Sequence, residues 1–300
     1  MRFENYCDTE TLKDFQYVAP ASVSQAVEQL AENDAAALAG GTDILVQIRE
    51  GLRQVDRIVD LKKIPELAEL KYSAETGLAL GASVSCSRIQ DAKDASLYPA
   101  LIDAVSLLGS WQIQSRASVG GNLCNASPSA DSIPPLIVHK AQCVIAGPDR
   151  ERQVAVESFC TGPGKNVLEK GELLVRLLLP PPSARSGSAY LRFIPRNEMD
   201  IAVVGAAAWV QLDQSGQIVE SARVALAAVA PTPVLAEEAG QWLSGKPATE
   251  ATYLEAGELA KRSASPIDDK RGSAEFRTHL VGVLTKRTLA RAVERARQSG

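Results

Sequence analysis

Apolar positions recur along the chain with two periods. In ASVSQAVEQLAEN (21–33), Val23, Ala26, Val27 and Leu30 fall at helical spacing, and Ser22 with Gln25 has the form of a capping box, so a first helix is predicted there. The apolar run AAALAG (35–40) reads as a strand, and GTDILVQIREG (41–51) as a helix with Ile44, Leu45 and Ile48 on one side and Gly51 at its end. RIVDL (57–61) and GLALGA (77–82) read as strands, and SLYPALIDAVSLLGS (96–110) as a helix after Pro99. This alternation predicts a mixed α/β lobe. Further on, QCVIAG (142–147) and ELLVRLLLP (172–180) are strand-like, and PPPSARSGS (180–188) is the predicted linker. AYLRFI, IAVVGAAAWVQLD and IVESARVALAAV then read as strands, with DQSG (213–216) as a hairpin turn, and the stretch 234–297 as mostly helical. Arg287, Arg291 and Arg295 share one face of that last helical stretch, which predicts a solvated ridge, with a subunit contact as the alternative.

Length and composition then narrow the class. The 300 residues, 45% of them hydrophobic, can bury a substantial core and predict two or three domains. Thirty-two Lys and Arg against 36 Asp and Glu give a net charge of −4, which argues against nucleic acid as a partner. The start, MRFENYCDTE, has no apolar signal region, and the apolar run AVVGAAAWV (202–210) is far shorter than the ~20 residues of a membrane span. No membrane span is predicted, and a cytoplasmic location is expected.

Most familiar chemistries find no support. Cys7, Cys86, Cys124, Cys143 and Cys160 show no metal-ligand spacing and are expected to be free thiols, so no metal site is predicted. His139 and His279 lack metal or triad partners in sequence and are expected to be structural. TGPGKN (161–166) lacks the leading glycine and the Ser or Thr of a phosphate loop, and there is no G-x-G-x-x-G and no nucleophile elbow. What remains is a pair of glycine motifs. In LAGGTDIL (38–45), Gly40 and Gly41 lie between a strand and a helix, where backbone can approach an anion and Thr42 adds a donor. In SVGGNLCNASPSAD (118–131), Gly120 and Gly121 form a second turn, with Asn122 and Asp131 as polar groups and Cys124 as a packing residue. Two such loops without acid–base machinery predict a large ligand bearing a diphosphate and performing the chemistry itself.

AGGTDIL (39–45), ASVGGNLCNASPSAD (117–131), ELLVRLLLP, YLRFIPRNEMDIAVVGAAAWV (190–210) and DKRGSAEFRTHLVGVLTKR (269–287) together resemble the FAD-binding medium subunit of molybdenum hydroxylases, the stand-alone counterpart of the flavin domain of xanthine dehydrogenase. The resemblance implies an α+β fold: a two-lobed FAD-binding domain of the PCMH/VAO-like kind at 1–180, with lobes about 1–58 and 59–180, and a smaller α/β C-terminal domain at 188–297. It also implies a set of FAD-binding residues. Ala37, Leu38, Ala39, Gly40, Gly41, Thr42, Asp43 and Ile44 would bind the diphosphate, and Ser118, Val119, Gly120, Gly121, Asn122 and Asp131 the diphosphate and ribityl chain. Leu174 would pack the adenine, and Ile201 would run beside the isoalloxazine ring. Arg192 stands where xanthine dehydrogenase has a flavin-contacting Lys, and Leu108 replaces a stacking aromatic. FAD would be non-covalent, because neither His lies in a glycine turn, and molybdopterin and [2Fe–2S] clusters would reside only on partners. Those partners are a large molybdopterin-binding subunit and a small [2Fe–2S] subunit in a dimer of heterotrimers. The implied function is transfer of electrons from the clusters to NAD or another acceptor, with no proton-transfer catalyst in this chain. The competing readings are a self-sufficient FAD-dependent oxidase or reductase and a flavin-free nucleotide-binding assembly module.

Overall fold

Strand and helix alternate at the start of the chain, and they build a small parallel sheet. The computed structural model describes residues 14–196 and 198–299, so Cys7 lies outside the described residues. β1 (Gln16–Val18), α1 (Val23–Leu30), β2 (Ala35–Leu38), α2 (Ile44–Arg49) and β3 (Arg57–Asp60) follow one another, and the strands pair in the order β1-β3-β2. α1 begins as its sequence predicts: the Ser22 hydroxyl accepts from the Gln25 amide at 3.3 Å, and the Gln25 side chain accepts in return from the Ala21 amide at 3.0 Å. Its buried face, Ala26, Val27 and Leu30, packs with Val59, Leu173 and Val175.

A five-stranded antiparallel sheet follows. β4 (Leu70–Ser73) and β5 (Gly77–Gly81) form a hairpin, after which come the short helices α3 (Cys86–Asp91), α4 (Pro99–Val105), α5 (Trp111–Gln114), α6 (Val119–Asn125) and α7 (Ile133–Val138). β6 (Gln142–Ala146), β7 (Glu151–Ala155), the small hairpin of β8 (Cys160–Gly162) and β9 (Lys165–Asn166), and β10 (Leu173–Leu179) complete it, with the sheet ordered β4-β5-β10-β6-β7. The helix predicted over 96–110 is confined to α4. Proline opens it at its first position, since the residue before a proline is disfavoured in helical geometry, and the chain past Leu108 turns at Gly109, whose φ is +55°.

The second glycine motif is also a correction. It is not a loop: Gly120 and Gly121 lie in the first turn of α6, with Ser118 as N-cap accepting from the Gly121 amide at 3.0 Å. The polar run that follows ends that helix at Ala126, which is left-handed at φ 49°, and Pro134 and Pro135 belong to the first turn of α7.

The last third is an antiparallel sheet, β11 (Ser186–Phe193), β12 (Val204–Leu212), β13 (Val219–Ala227) and β14 (Val234–Leu235), with α8 (Glu237–Leu243), α9 (Glu250–Ala260) and the long α10 (Ala274–Gln298). β12 is buried on both sides, which is why its sequence is continuously apolar. Ala206, Ala208 and Val210 pack with α8–α10, whereas Ala207 joins Tyr190, Ala225 and residues of α4 and α7 in the core of the preceding sheet.

This junction overturns part of the expectation for the basic ridge: Arg287 and Arg291 are exposed, but Arg295 turns into the fold onto Asp103 and Arg291 reaches the same carboxylate. Arg295 donates twice to Asp103 of α4, at 2.7 and 2.9 Å, and once to the Ser188 carbonyl at 2.7 Å. Arg291 lies 3.2 Å from the same carboxylate, which also accepts from the Tyr190 amide at 3.0 Å. Asp103 was not legible as a partner because it lies 188 and 192 positions from the two arginines, so only folding brings a carboxylate to that face of α10.

Candidate functional site

The two glycine motifs meet. A Cβ built on Gly40 would lie 1.9 Å from the Arg116 carbonyl oxygen, so the turn after β2 is pressed onto the segment leading into α6. Gly41 has φ +83°, a conformation that glycine adopts at little cost. Gly120 is equally crowded: its Cβ would lie 2.5 Å from the Ala82 oxygen. Gly121 differs. Its Cβ would meet only the Ser118 hydroxyl, at 3.0 Å, and the remaining space around it is open. Gly40 and Gly120 therefore let protein approach protein, and Gly121 leaves room for something else.

That room is part of a cleft of about 1190 Å³, beyond the ~300–1,000 Å³ of a typical small-molecule site. Of the residues singled out in the sequence, Ala37, Ala39, Gly40, Gly41, Thr42, Asp43, Ile44, Leu108, Ser118, Gly120, Gly121, Asn122 and Leu174 line it. Leu38 and Val119 are buried behind the wall. Asp131 and Arg192 lie elsewhere, against each other: their ion pair is 2.5 Å long, both side chains are almost fully enclosed, and the Tyr190 hydroxyl donates to the carboxylate at 2.6 Å. Burial raises the pKa of the Asp131 carboxyl above its ordinary value, with Arg192 and Tyr190 opposing the shift. Ile201 is half exposed on the connection between β11 and β12.

Several cleft residues are fixed by polar contacts that sequence reasoning did not anticipate. Asn125, the last residue of α6, donates to Asp43 at 3.1 Å and accepts from Gln47 at 3.0 Å, joining α6 to α2. Ser132 donates to the Asn122 side-chain oxygen at 2.7 Å, which leaves the Asn122 amide protons for other acceptors. Asp131 precedes this serine, so the buried ion pair adjoins the group that holds Asn122. Gly164 and Asn166, from the segment rejected as a phosphate loop, also reach the cleft wall, as do Lys170 and Ser83. Asn125 lies within the second glycine motif and Gln47 one turn after Asp43, but nothing in the sequence says that two helices 75 residues apart touch.

The chemistry of the wall is that of binding. Burial pushes the Cys124 thiol up to about 12, so it stays protonated and unreactive at neutral pH. Burial also raises the pKa of the Asp43 carboxyl, opposed by a hydrogen bond from Thr42. In the first turns of α2 and α6 the Leu45 amide goes to the Gly41 carbonyl and the Gly121 amide to the Ser118 hydroxyl; the remaining amides there have no intrahelical acceptors and suit an anion. The Ser83 hydroxyl is buried without a hydrogen-bond partner in the cleft wall, as expected where a ligand completes the polar accounting. A dinucleotide fits these features: its diphosphate suits the two helix starts and its length suits the volume.

Comparison with known proteins decides the family. Residues 13–182 match the FAD binding domain in molybdopterin dehydrogenase, and residues 189–292 match the CO dehydrogenase flavoprotein C-terminal domain. The chain belongs to the FAD-binding subunits of the molybdenum hydroxylases. It is 35% identical to the xanthine dehydrogenase FAD-binding subunit of Escherichia coli O157:H7, over 93% of this chain and 96% of that one. It is 31% identical to the carbon monoxide dehydrogenase medium chain of Hydrogenophaga pseudoflava, over 92% and 96%. A solved structure of the enzyme from that organism, lacking the Mo-pyranopterin moiety of its cofactor, superposes with a TM-score of 0.90 at 30% identity, covering 94% of this chain and 98% of the other. Quinoline 2-oxidoreductase from Pseudomonas putida 86 superposes with a TM-score of 0.88 at 31% identity, covering 95% and 99%. As a medium subunit of this family, the protein is a component of an oxidoreductase and carries an FAD-binding domain. Among the described residues, no helix is long and apolar enough to cross a membrane.

Proposed function

We propose that this chain is the electron-transfer station of a molybdenum hydroxylase complex, working with a large molybdopterin-binding subunit and a small [2Fe–2S] subunit in a dimer of heterotrimers. Bound FAD supplies the chemistry that accepts single electrons from the clusters and passes pairs to NAD or another acceptor. The observation that carries the reading is the cleft itself, where Gly40–Thr42 and Ser118–Asn122 converge on one space large enough for a dinucleotide.

The residues of the chain bind and orient. The turns at 40–43 and 118–122 would hold the diphosphate through backbone amides, with Thr42 and the free amide protons of Asn122 as added donors. Leu174 would form the adenine wall, and Leu108 would pack on the flavin from the α4–α5 connection. Asp131 and Arg192 act from behind the wall, fixing the segment from which Ser132 holds Asn122. Ile201, half exposed on the connection between β11 and β12, is open to the ring of the flavin or to a neighbouring subunit.

Complex purified from its native host is expected to be yellow, to release its flavin into the supernatant on acid precipitation, and to contain molybdenum and iron with two further polypeptides. A colourless protein that takes up no added FAD removes the flavin reading. Flavin that stays with the acid pellet removes the non-covalent one, and a chain that is strictly monomeric in its host removes the complex.

A further inference from the structure

Asn125 bridges the two glycine motifs in a way that nothing about either motif requires. It stands at the C-terminal end of α6, and its side-chain amide has both ends engaged on α2: Nδ2 donates to Asp43 at 3.1 Å and Oδ1 accepts from Gln47 Nε2 at 3.0 Å. The two bonds fix the orientation of the amide, since reversing it would set donor against donor. Asp43 precedes α2 as its N-cap residue, yet its carboxylate makes no capping bond to its own helix. All three side chains lie on the cleft wall.

We propose that Asn125 is a positioning residue: it clasps α2 to α6 and so sets the separation of the two helix starts between which the cofactor's diphosphate is held. The inference rests on the flavin reading above. On one side the two motifs are held by contact, where Gly40 meets Arg116. The clasp holds them on the other, where α2 is anchored only in part: Ile44 and Ile48 pack, partly buried, against Ala36, Leu38, Val55 and Ile58, while Leu45 and Val46 are exposed and no residue of the helix is fully buried. A shallow apolar anchor leaves a short helix some freedom, which the bidentate polar link to α6 limits.

The test is reciprocal exchange in the full chain, stripped of flavin and titrated with FAD, with melting of the flavin-free protein recorded in parallel. Asn125→Ala is expected to weaken FAD binding about tenfold, because the two helix starts are no longer held at the separation the diphosphate needs, and to lower the flavin-free melting only by the modest amount that two lost hydrogen bonds account for. Asn125→Asp sets two carboxylates together and weakens binding at least as much. The double variant Asp43→Asn with Asn125→Asp restores both bonds, with donor and acceptor exchanged in the bond to residue 43 and the Gln47 bond kept in its direction. In it the carboxylate introduced on α6 accepts from Gln47 and from the amide introduced before α2, and affinity returns to within about threefold of wild type. Wild-type affinity in Asn125→Ala overturns the clasp, and so does a double variant no better than Asn125→Asp. A wild-type chain that binds no FAD overturns the flavin reading and this inference with it.

Discussion

At the residue scale, four glycines that look alike in the sequence do different work. Gly120 touches the Ala82 backbone and Gly121 faces open space, so substitutions at these neighbours should separate folding from binding. Gly120→Val is expected to destabilise the flavin-free protein by about 3 kcal/mol or more, because backbone cannot yield as a flexible side chain does. Gly121→Val should melt within about 1 kcal/mol of wild type while losing FAD, since its branches enter the cleft beside the Ser118 cap. Chemical denaturation and FAD titration of the two variants check this; equal effects on both measurements would contradict it. The motif pointed to close approach, but which glycine approaches protein and which leaves space depends on Ala82, 38 residues away.

At the element scale, α10 shows how far a helix face can mislead. Its arginines recur with the spacing of a solvated ridge, yet two of them converge on Asp103 and, through Ser188 and Tyr190, on β11. The Asp103 side chain is only 11% exposed, and losing it strands Arg295 and the Tyr190 amide. Asp103→Ala is expected to cost on the order of 3 kcal/mol in equilibrium unfolding. Arg291→Ala, whose side chain is 44% exposed, should cost under about 1 kcal/mol. Similar costs for both would mean that the network does not centre on the carboxylate. By contrast, α1, β2, β3, β6, β10 and the hairpin at 213–216 were legible, because capping, period and turn chemistry are local. α6 was not: a helix holding two glycines and a run of small polar residues has poor propensity, and it forms because Ser118 caps it and Val119 and Leu123 are buried beneath it.

At the scale of the whole molecule, a seam joins the last sheet to the rest, and a neutral imidazole lies in it. His139 stacks edge-on against Tyr98 at 5.2 Å, and its Nε2 lies 3.0 Å from the Ser188 hydroxyl, which already accepts from the Ala100 amide and so has its proton free for the ring. Burial lowers the His139 pKa from 6.5 to about 4. Between those values the unfolded chain binds a proton that the folded chain does not. The stabilisation is therefore complete above pH 6.5 and is lost as pH falls toward about 4, by up to roughly 3 kcal/mol. His139→Gln should flatten this part of the stability–pH curve, and an unchanged slope would assign it to other groups. The sequence by itself determined what local rules can fix: most strands, the first helix, the two glycine motifs and, through their order along the chain, the family. Only the tertiary structure decided that Gly40 rests on Arg116, that Asn125 joins Asp43 to Gln47, and that Asp131 turns to Arg192 away from the cleft wall. The physical reason is range. Propensity, capping and period act over a few residues, whereas a site assembled from segments some 80 residues apart takes its geometry from the packing that brings them together.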